Sequence, residues 1–141
     1  MVVINGSNAV LGRLSSHVAK QALRGERVDI INAESIVIVG NREYILADYK
    51  HKRGRKSLRN PETGPKFPRQ PEQIVKRAIR TMMNYKTLRG RTALKNVKVY
   101  VGVPLEFANS KPLVLENAKP NPRRKTISIK EISLEMGYQF K

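Results

Sequence analysis

The sequence predicts a single α/β domain with a mostly parallel sheet, helices packed on it, and basic extensions. Three observations carry this. A strand, turn and helix pattern at the N-terminus leads into two nearly continuous β-branched runs, Val28–Ile31 and Ile36–Val39, of the kind buried on both faces of a sheet. Helical apolar spacing recurs near Leu11 and again near Ile74. The length, 141 residues with 40% hydrophobic, suits one domain that buries its own core without staples.

Taken in order, Val2-Val3-Ile4 reads as a short strand and Asn5 to Asn8 as a turn, with Ser7 or Asn8 as helix cap. Leu11, Leu14, Val18 and Ala22 share one helical face, and Gly25 closes that helix in the left-handed conformation. After the two β-branched runs, Glu43 to Tyr49 reads as a short helix with Leu46 and either Tyr44 or Ile45 turned inward. Residues 50–71 differ in kind. Six of the ten residues from Lys50 to Arg59 are Lys or Arg, and Pro61, Gly64, Pro65, Pro68 and Pro71 break regular structure. A loop of this length is expected to be an extension ordered by a partner and mobile without it.

Pro71 suits the first turn of a helix whose apolar face holds Ile74, Val75, Ala78, Ile79, Met82 and Met83; Lys76, Arg77 and Arg80 occupy the opposite face. Lys86 to Arg91 reads as a basic turn, Ala93-Leu94 as a short helix, and Val97, Val99 and Val101 as an alternating strand ended by Gly102 and Pro104. Residues 109–125, rich in Asn, Pro and basic side chains, read as a connecting arm. Thr126 to Ile129 is a last strand, and Ser128-Ile-Lys-Glu131 matches a capping box for a helix running to Gly137.

Charge placement is the strongest functional signal. The net charge is +17, yet residues 1–49 hold five basic and five acidic side chains and residues 126–141 two of each. Residues 50–125 therefore carry the whole excess, with no acidic residue between Glu72 and Glu106. Such a concentration opposes folding by self-repulsion, which a polyanion relieves. The candidate nucleic-acid contacts are Lys50, Lys52, Arg53, Arg55, Lys56, Arg59, Lys66, Arg69, Lys86, Arg89, Arg91, Lys95, Arg123, Arg124 and Lys125. Arginine is planar, always charged, and able to fork onto phosphate or stack on a base. Phe67 and Tyr85 lie near these clusters and could stack on unpaired bases or pack inward, while Tyr49 is expected in the core. An irregular, proline-jointed basic segment suits folded RNA better than a regular duplex groove.

Other chemistries have weaker footing. Absent cysteines exclude disulfides, Cys-type zinc sites and thiol catalysis. No apolar run is long enough to span a membrane, and Met1 to Ile4 is too short for a signal peptide. Gly6 to Gly12 lies where a strand meets a helix, a position open to an anion site or simply to a tight turn; its spacing fits neither the dinucleotide nor the P-loop pattern. His17 and His51 lack a carboxylate partner in sequence that would orient a base. Asp29, Glu34, Glu43 and Asp48 are scattered and read as ordinary surface acids, so no metal site is expected. The alternatives kept open are a nucleotide-using or nucleic-acid-cleaving enzyme built on the Gly6–Gly12 turn, and a regulator that binds mRNA or DNA.

The segments Leu11-Gly-Arg-Leu14 with Val18-Ala-Lys20, Asn60-Pro-Glu-Thr-Gly-Pro65, the helix from Ile74 to Met83, Tyr85 to Arg91, Ala93-Leu94, and Val97 to Pro104 together resemble the L-thirteen family of large-subunit ribosomal proteins in its archaeal and eukaryotic form. The likeness covers about the first three-quarters of the chain and is most specific from Arg80 to Pro104; Thr81 and Asn84 depart from the family's Gly and Pro. The resemblance implies a three-layer α/β/α fold, a place on large-subunit rRNA, early assembly into the cytoplasmic ribosome, and neighbouring ribosomal proteins as partners. It implies no catalysis, no cofactor, no membrane and no small-molecule substrate. By position it assigns rRNA contacts to Lys52, Arg53, Arg55, Lys56, Arg59, Arg69, Lys86, Arg89 and Arg91.

Overall fold

In the computed structural model, which describes residues 1–108 and 110–140, the N-terminal pattern folds as β1 (Val2–Asn5), α1 (Leu11–Leu23) and β2 (Val28–Ile31). β1 and β2 pair in parallel, with Val2 opposite Val28. β4 (Val97–Val99) adds in parallel to β2, and β5 (Leu113–Val114) in parallel to β1, giving the order β4-β2-β1-β5. All four residues of β2 are buried, which the nearly continuous β-branched run predicted for Val28, Ile30 and Ile31. β3 (Val37–Val39) instead pairs antiparallel with β6 (Thr126–Ser128) in a separate ribbon.

The main core lies on one side of the sheet. Ile4, Val28, Ile30 and Val97 meet Leu14 and Val18 of α1, Val75 and Ile79 of α3 (Pro71–Thr81), and Ala93 of α4 (Leu88–Lys95). Ile129 and Ile132 of α5 (Ile129–Glu135) complete it. The opposite side has a thinner cover. Strand alternation sends Asp29 and Ile31 there, and Tyr100 packs edge-on against Phe107 at 5.6 Å between ring centres. Asp29 is not the surface acid expected. It is fully buried, with Arg27 Nε 3.3 Å from its carboxylate, because a polar residue in a strand covered on both faces has no route to solvent.

The Gly6–Gly12 turn is a packing device. A Cβ on Gly6 would stand 2.8 Å from the Ile36 side chain and 3.0 Å from the Ile31 carbonyl, whereas Gly12 faces open space. Every backbone N–H from Gly6 to Val10 has an acceptor within the chain, so the turn is held by its own hydrogen bonds. The expected Ser7 or Asn8 cap is replaced by Val10, which caps α1 without a side-chain bond. The Val10 N–H donates to Ala118 O, and Val10 bridges Val37, so segments distant in sequence fix the helix start. The other end behaves as predicted. Gly25, at φ +93°, donates to Ala22 O while Glu26 donates to Gln21 O, the paired bonds of a Schellman ending.

Several boundaries move. α2 spans Arg42–Gly54, so Lys50, Lys52 and Arg53 are helical and only residues 55–70 are irregular. Basic side chains in a last turn sit well against the helix dipole, and Lys52 pairs with Asp48 one turn back. On α2 the inward residue is Ile45, while Tyr44 is exposed. α3 ends at Thr81, which turns Met82 outward and leaves Met83 buried. Lys86–Arg91 is not a turn throughout: α4 begins at Leu88, capped by Thr87, whose hydroxyl accepts from Gly90 N–H at 3.2 Å. Gly90, a poor helix former, is required there, since a Cβ would lie 2.0 Å from Asn84 O.

Residues 109–125 hold more than a connecting arm, although Asn109 itself lies outside the described residues. β5 joins the sheet, and a 3-10 turn at Glu116–Ala118 buries Ala118 against α1's start. The capping box forms as expected: Ser128 Oγ accepts from Glu131 N–H at 3.2 Å, and α5 ends at Gly137 in a second Schellman pairing. Among the described residues no helix is long and apolar enough to cross a membrane.

Candidate nucleic-acid interface

α3 and α4 set the site. The apolar face of α3 is held in the core, so Lys76 and Arg80 stand outward, and α4 presents Arg91 and Lys95 alongside them. Two adjoining depressions result, of about 370 Å³ and 530 Å³, sharing Lys76, Arg80 and Leu94. Lys66, Phe67, Pro68, Gln73 and Arg77 line one end of this trough; Tyr85, Lys86, Arg91 and Lys95 line the other. Among the described residues no carboxylate lines either part.

Two arginines are held ready along its length. The Arg77 guanidinium carbon lies 4.0 Å from the centre of the Phe67 ring and that of Arg80 3.9 Å from the Tyr85 ring. A guanidinium held against a ring at this distance is restrained in orientation and keeps the planar set of N–H donors that matches phosphate oxygens. Arg77 Nη1 also donates to Lys66 O at 3.0 Å, which ties α3 to the irregular segment before it. Both rings thus serve as supports for arginine. Tyr49 packs against the core as expected; burial, with the Asp48 charge adding, raises its hydroxyl pKa, and Arg77 opposes this.

Lys66, Lys86, Arg91 and Lys95 are the sequence candidates that meet in the trough. Lys76, Arg77 and Arg80 join them from the polar face of α3 and are not among the sequence candidates. Their signal was present: the polar face of α3 after Glu72 carries cations and no anion. Other candidates turn toward the chain itself. Lys50 Nζ lies 3.0 Å from Glu135 Oε2, and that hydrogen bond and charge hold the Glu135 carboxyl below the usual range. Arg53 Nη1 donates to Met136 O and Arg69 Nη1 to Gly137 O at 3.3 Å, so two guanidinium groups converge on the C-terminal end of α5. Lys52 pairs with Asp48, and Arg89 Nη2 donates to Leu23 O at the end of α1.

Arg55, Lys56 and Arg59 are exposed in the irregular segment, with no ion-pair partner among the described residues. Arg123, Arg124 and Lys125 are exposed ahead of β6 and do not line the trough. His51 is exposed on the last turn of α2, and His17 Nε2 is buried without a hydrogen-bond partner. Among the described residues no three His, Asp or Glu side chains converge to hold a metal.

Comparison with known proteins places the chain in a family. The family model described as Ribosomal protein L13 matches residues 1–106. The chain is 45% identical over 141 residues to "Large ribosomal subunit protein uL13" of Methanocaldococcus jannaschii, covering 99% of this chain and all of the relative. It is 42% identical over 141 residues to the protein of that name from Methanosphaera stadtmanae, with 99% of each covered, and 43% over 143 residues to that of Methanosarcina barkeri, covering 99% and 100%. Matches of this extent, over a basic α/β domain whose sequence already resembled the family, establish that the chain belongs to the ribosomal protein L13 family.

Proposed function

We propose that this chain is a structural constituent of the large ribosomal subunit that holds the subunit's rRNA in the trough between α3 and α4. The role is architectural, not catalytic. The observation that carries the RNA reading is the convergence of seven cations, Lys66, Lys76, Arg77, Arg80, Lys86, Arg91 and Lys95, on one continuous surface with no carboxylate among them. Such a surface attracts phosphates without needing a base sequence, and most protein contacts to nucleic acid position the chain and do not read sequence. The exposed Arg55, Lys56 and Arg59, and the Arg123–Lys125 run, extend the contact to further RNA segments. Neighbouring large-subunit proteins and a cytoplasmic location follow from membership of the ribosome.

Co-sedimentation supplies the test. The chain is expected to sediment with large subunits through a high-salt wash, and the Lys76→Ala, Arg80→Ala, Arg91→Ala triple variant to be lost in that wash while remaining folded. Equal retention of the variant would remove the trough from the interface. Retention of neither protein would count against the ribosomal role and favour a regulator of other nucleic acids.

A further inference from the structure

Behind the stacked Arg77–Phe67 pair lies a smaller opening of about 170 Å³, walled by Tyr49, Phe67, Pro68, Ile74 and Ala78. It is contiguous with the basic trough, since Phe67, Pro68 and Arg77 line both. Its walls are apolar and aromatic, while its rim carries Arg77, Lys52 and Thr81. Lys52 at the rim is paired with Asp48, and no carboxylate among the described residues lines the opening. The opening is well below the roughly 300 Å³ at which small-molecule clefts begin, but it admits one flat ring system.

We infer that this notch receives a single unpaired nucleobase from an RNA strand whose phosphates occupy the trough. The inference rests on the trough being the RNA-binding surface. The occupant must be flat and apolar on its faces, and joined to a polyanion that satisfies the cations at the rim. A nucleotide of a single-stranded segment has both properties. A paired base has neither face free, and a free nucleoside would lack the neighbouring phosphates. Bases splayed from RNA loops are commonly held on aromatic side chains in this way. Tyr49 and Phe67 supply the aromatic walls, and Ala78 supplies the space, because a larger residue at that point of α3 would project into the notch.

The test uses the full chain and three short RNAs at one salt concentration. The first is single-stranded with one central 2-aminopurine, the second the same strand with that nucleotide abasic, and the third a duplex of equal length. The 2-aminopurine strand is expected to bind about ten-fold more tightly than the abasic one, the effect of one stacked base, with a change in its fluorescence on binding. Ala78→Leu should abolish that difference while leaving duplex affinity unchanged, and Tyr49→Leu, at a wall of the notch that does not line the trough, serves the same purpose should Ala78→Leu lower the melting temperature. Equal affinity for the base-bearing and abasic strands in the unaltered protein would overturn the notch, with Arg80→Ala still weakening all three RNAs if the trough reading stands. Should Arg80→Ala weaken none of them, the trough reading falls and the notch with it.

Discussion

Removing Lys76, Arg80 and Arg91 together should change how RNA affinity depends on salt far more than it changes the fold. These three side chains line the trough, and among the described residues none of them pairs with a carboxylate. Each phosphate neutralised on a single strand contributes about 0.7 to the slope of log K against log salt, and about 0.9 on a duplex. Seven trough cations fully engaged give a slope of about 5 to 6, so affinity should fall at least about a thousand-fold between 50 and 200 mM salt. The triple alanine variant should lower the slope by about 2 to 3. The assay is fluorescence anisotropy of a labelled large-subunit rRNA fragment at four salt concentrations, with thermal melting run in parallel. A variant that melts with the unaltered protein but keeps the full slope would refute the reasoning.

Three further outcomes follow from the packing. Arg53→Ala and Arg69→Ala should each lower stability by about 1 kcal/mol in urea unfolding, because each removes a charged donor from the carbonyls that end α5 in a partly exposed setting; an unchanged midpoint would show those bonds to be dispensable. Gly90→Ala gains about 1 kcal/mol of helix propensity but drives a Cβ to 2.0 Å from a backbone oxygen, so a net destabilisation of about 2 kcal/mol or more is expected; a stabilised variant would contradict the close approach of α4 to Asn84. Glu135 is held below its ordinary pKa of 4.5 by Lys50, so its contribution is present above that pH and is lost as pH falls through the lowered value. The difference in melting temperature between the unaltered protein and Glu135→Gln should therefore be visible at neutral pH and vanish in acid.

What was legible in the sequence tracks how local each determinant is. The first βαβ unit, the Gly25 ending, Pro71 at the start of α3 and the Ser128 capping box are written in neighbouring residues, and each stands where predicted. The Ser7 or Asn8 cap failed because bonds to distant residues set the turn, Asn8 N–H to Ser35 O and Val10 N–H to Ala118 O, so that α1 starts only after Val10. α4 was obscured by Gly90, whose reason for being there is contact with the turn at Asn84. β5 is two residues long and gains strand geometry only by pairing with β1, so no periodicity could reveal it. The candidate interface was legible as charge but not as shape. Counting cations located the region, while the division between those facing the trough and those facing α5 depended on where α2 ends, which the dense run of basic residues hid.

That division has a physical logic. With 28 basic side chains to 11 acidic ones, carboxylates cannot partner most cations. Five arginines are instead tied to main-chain carbonyls: Arg13 to Asn117 and Lys119, Arg53 to Met136, Arg69 to Gly137, Arg77 to Lys66 and Arg89 to Leu23. A carbonyl anchors a guanidinium without cancelling its charge, so the chain gains order and keeps the field that draws RNA. Arg89 separates the two contributions. Arg89→Lys keeps the charge but loses the planar fork that reaches Leu23 O at 3.1 Å. It should lower stability by about 0.5 to 1 kcal/mol while leaving the salt slope of RNA binding unchanged, whereas Arg89→Ala should lower stability and, if Arg89 also meets phosphate, reduce the slope by about one. If Lys restores neither stability nor slope relative to Ala, the carbonyl-anchored arginines act through packing alone, and the separation of anchoring from attraction fails.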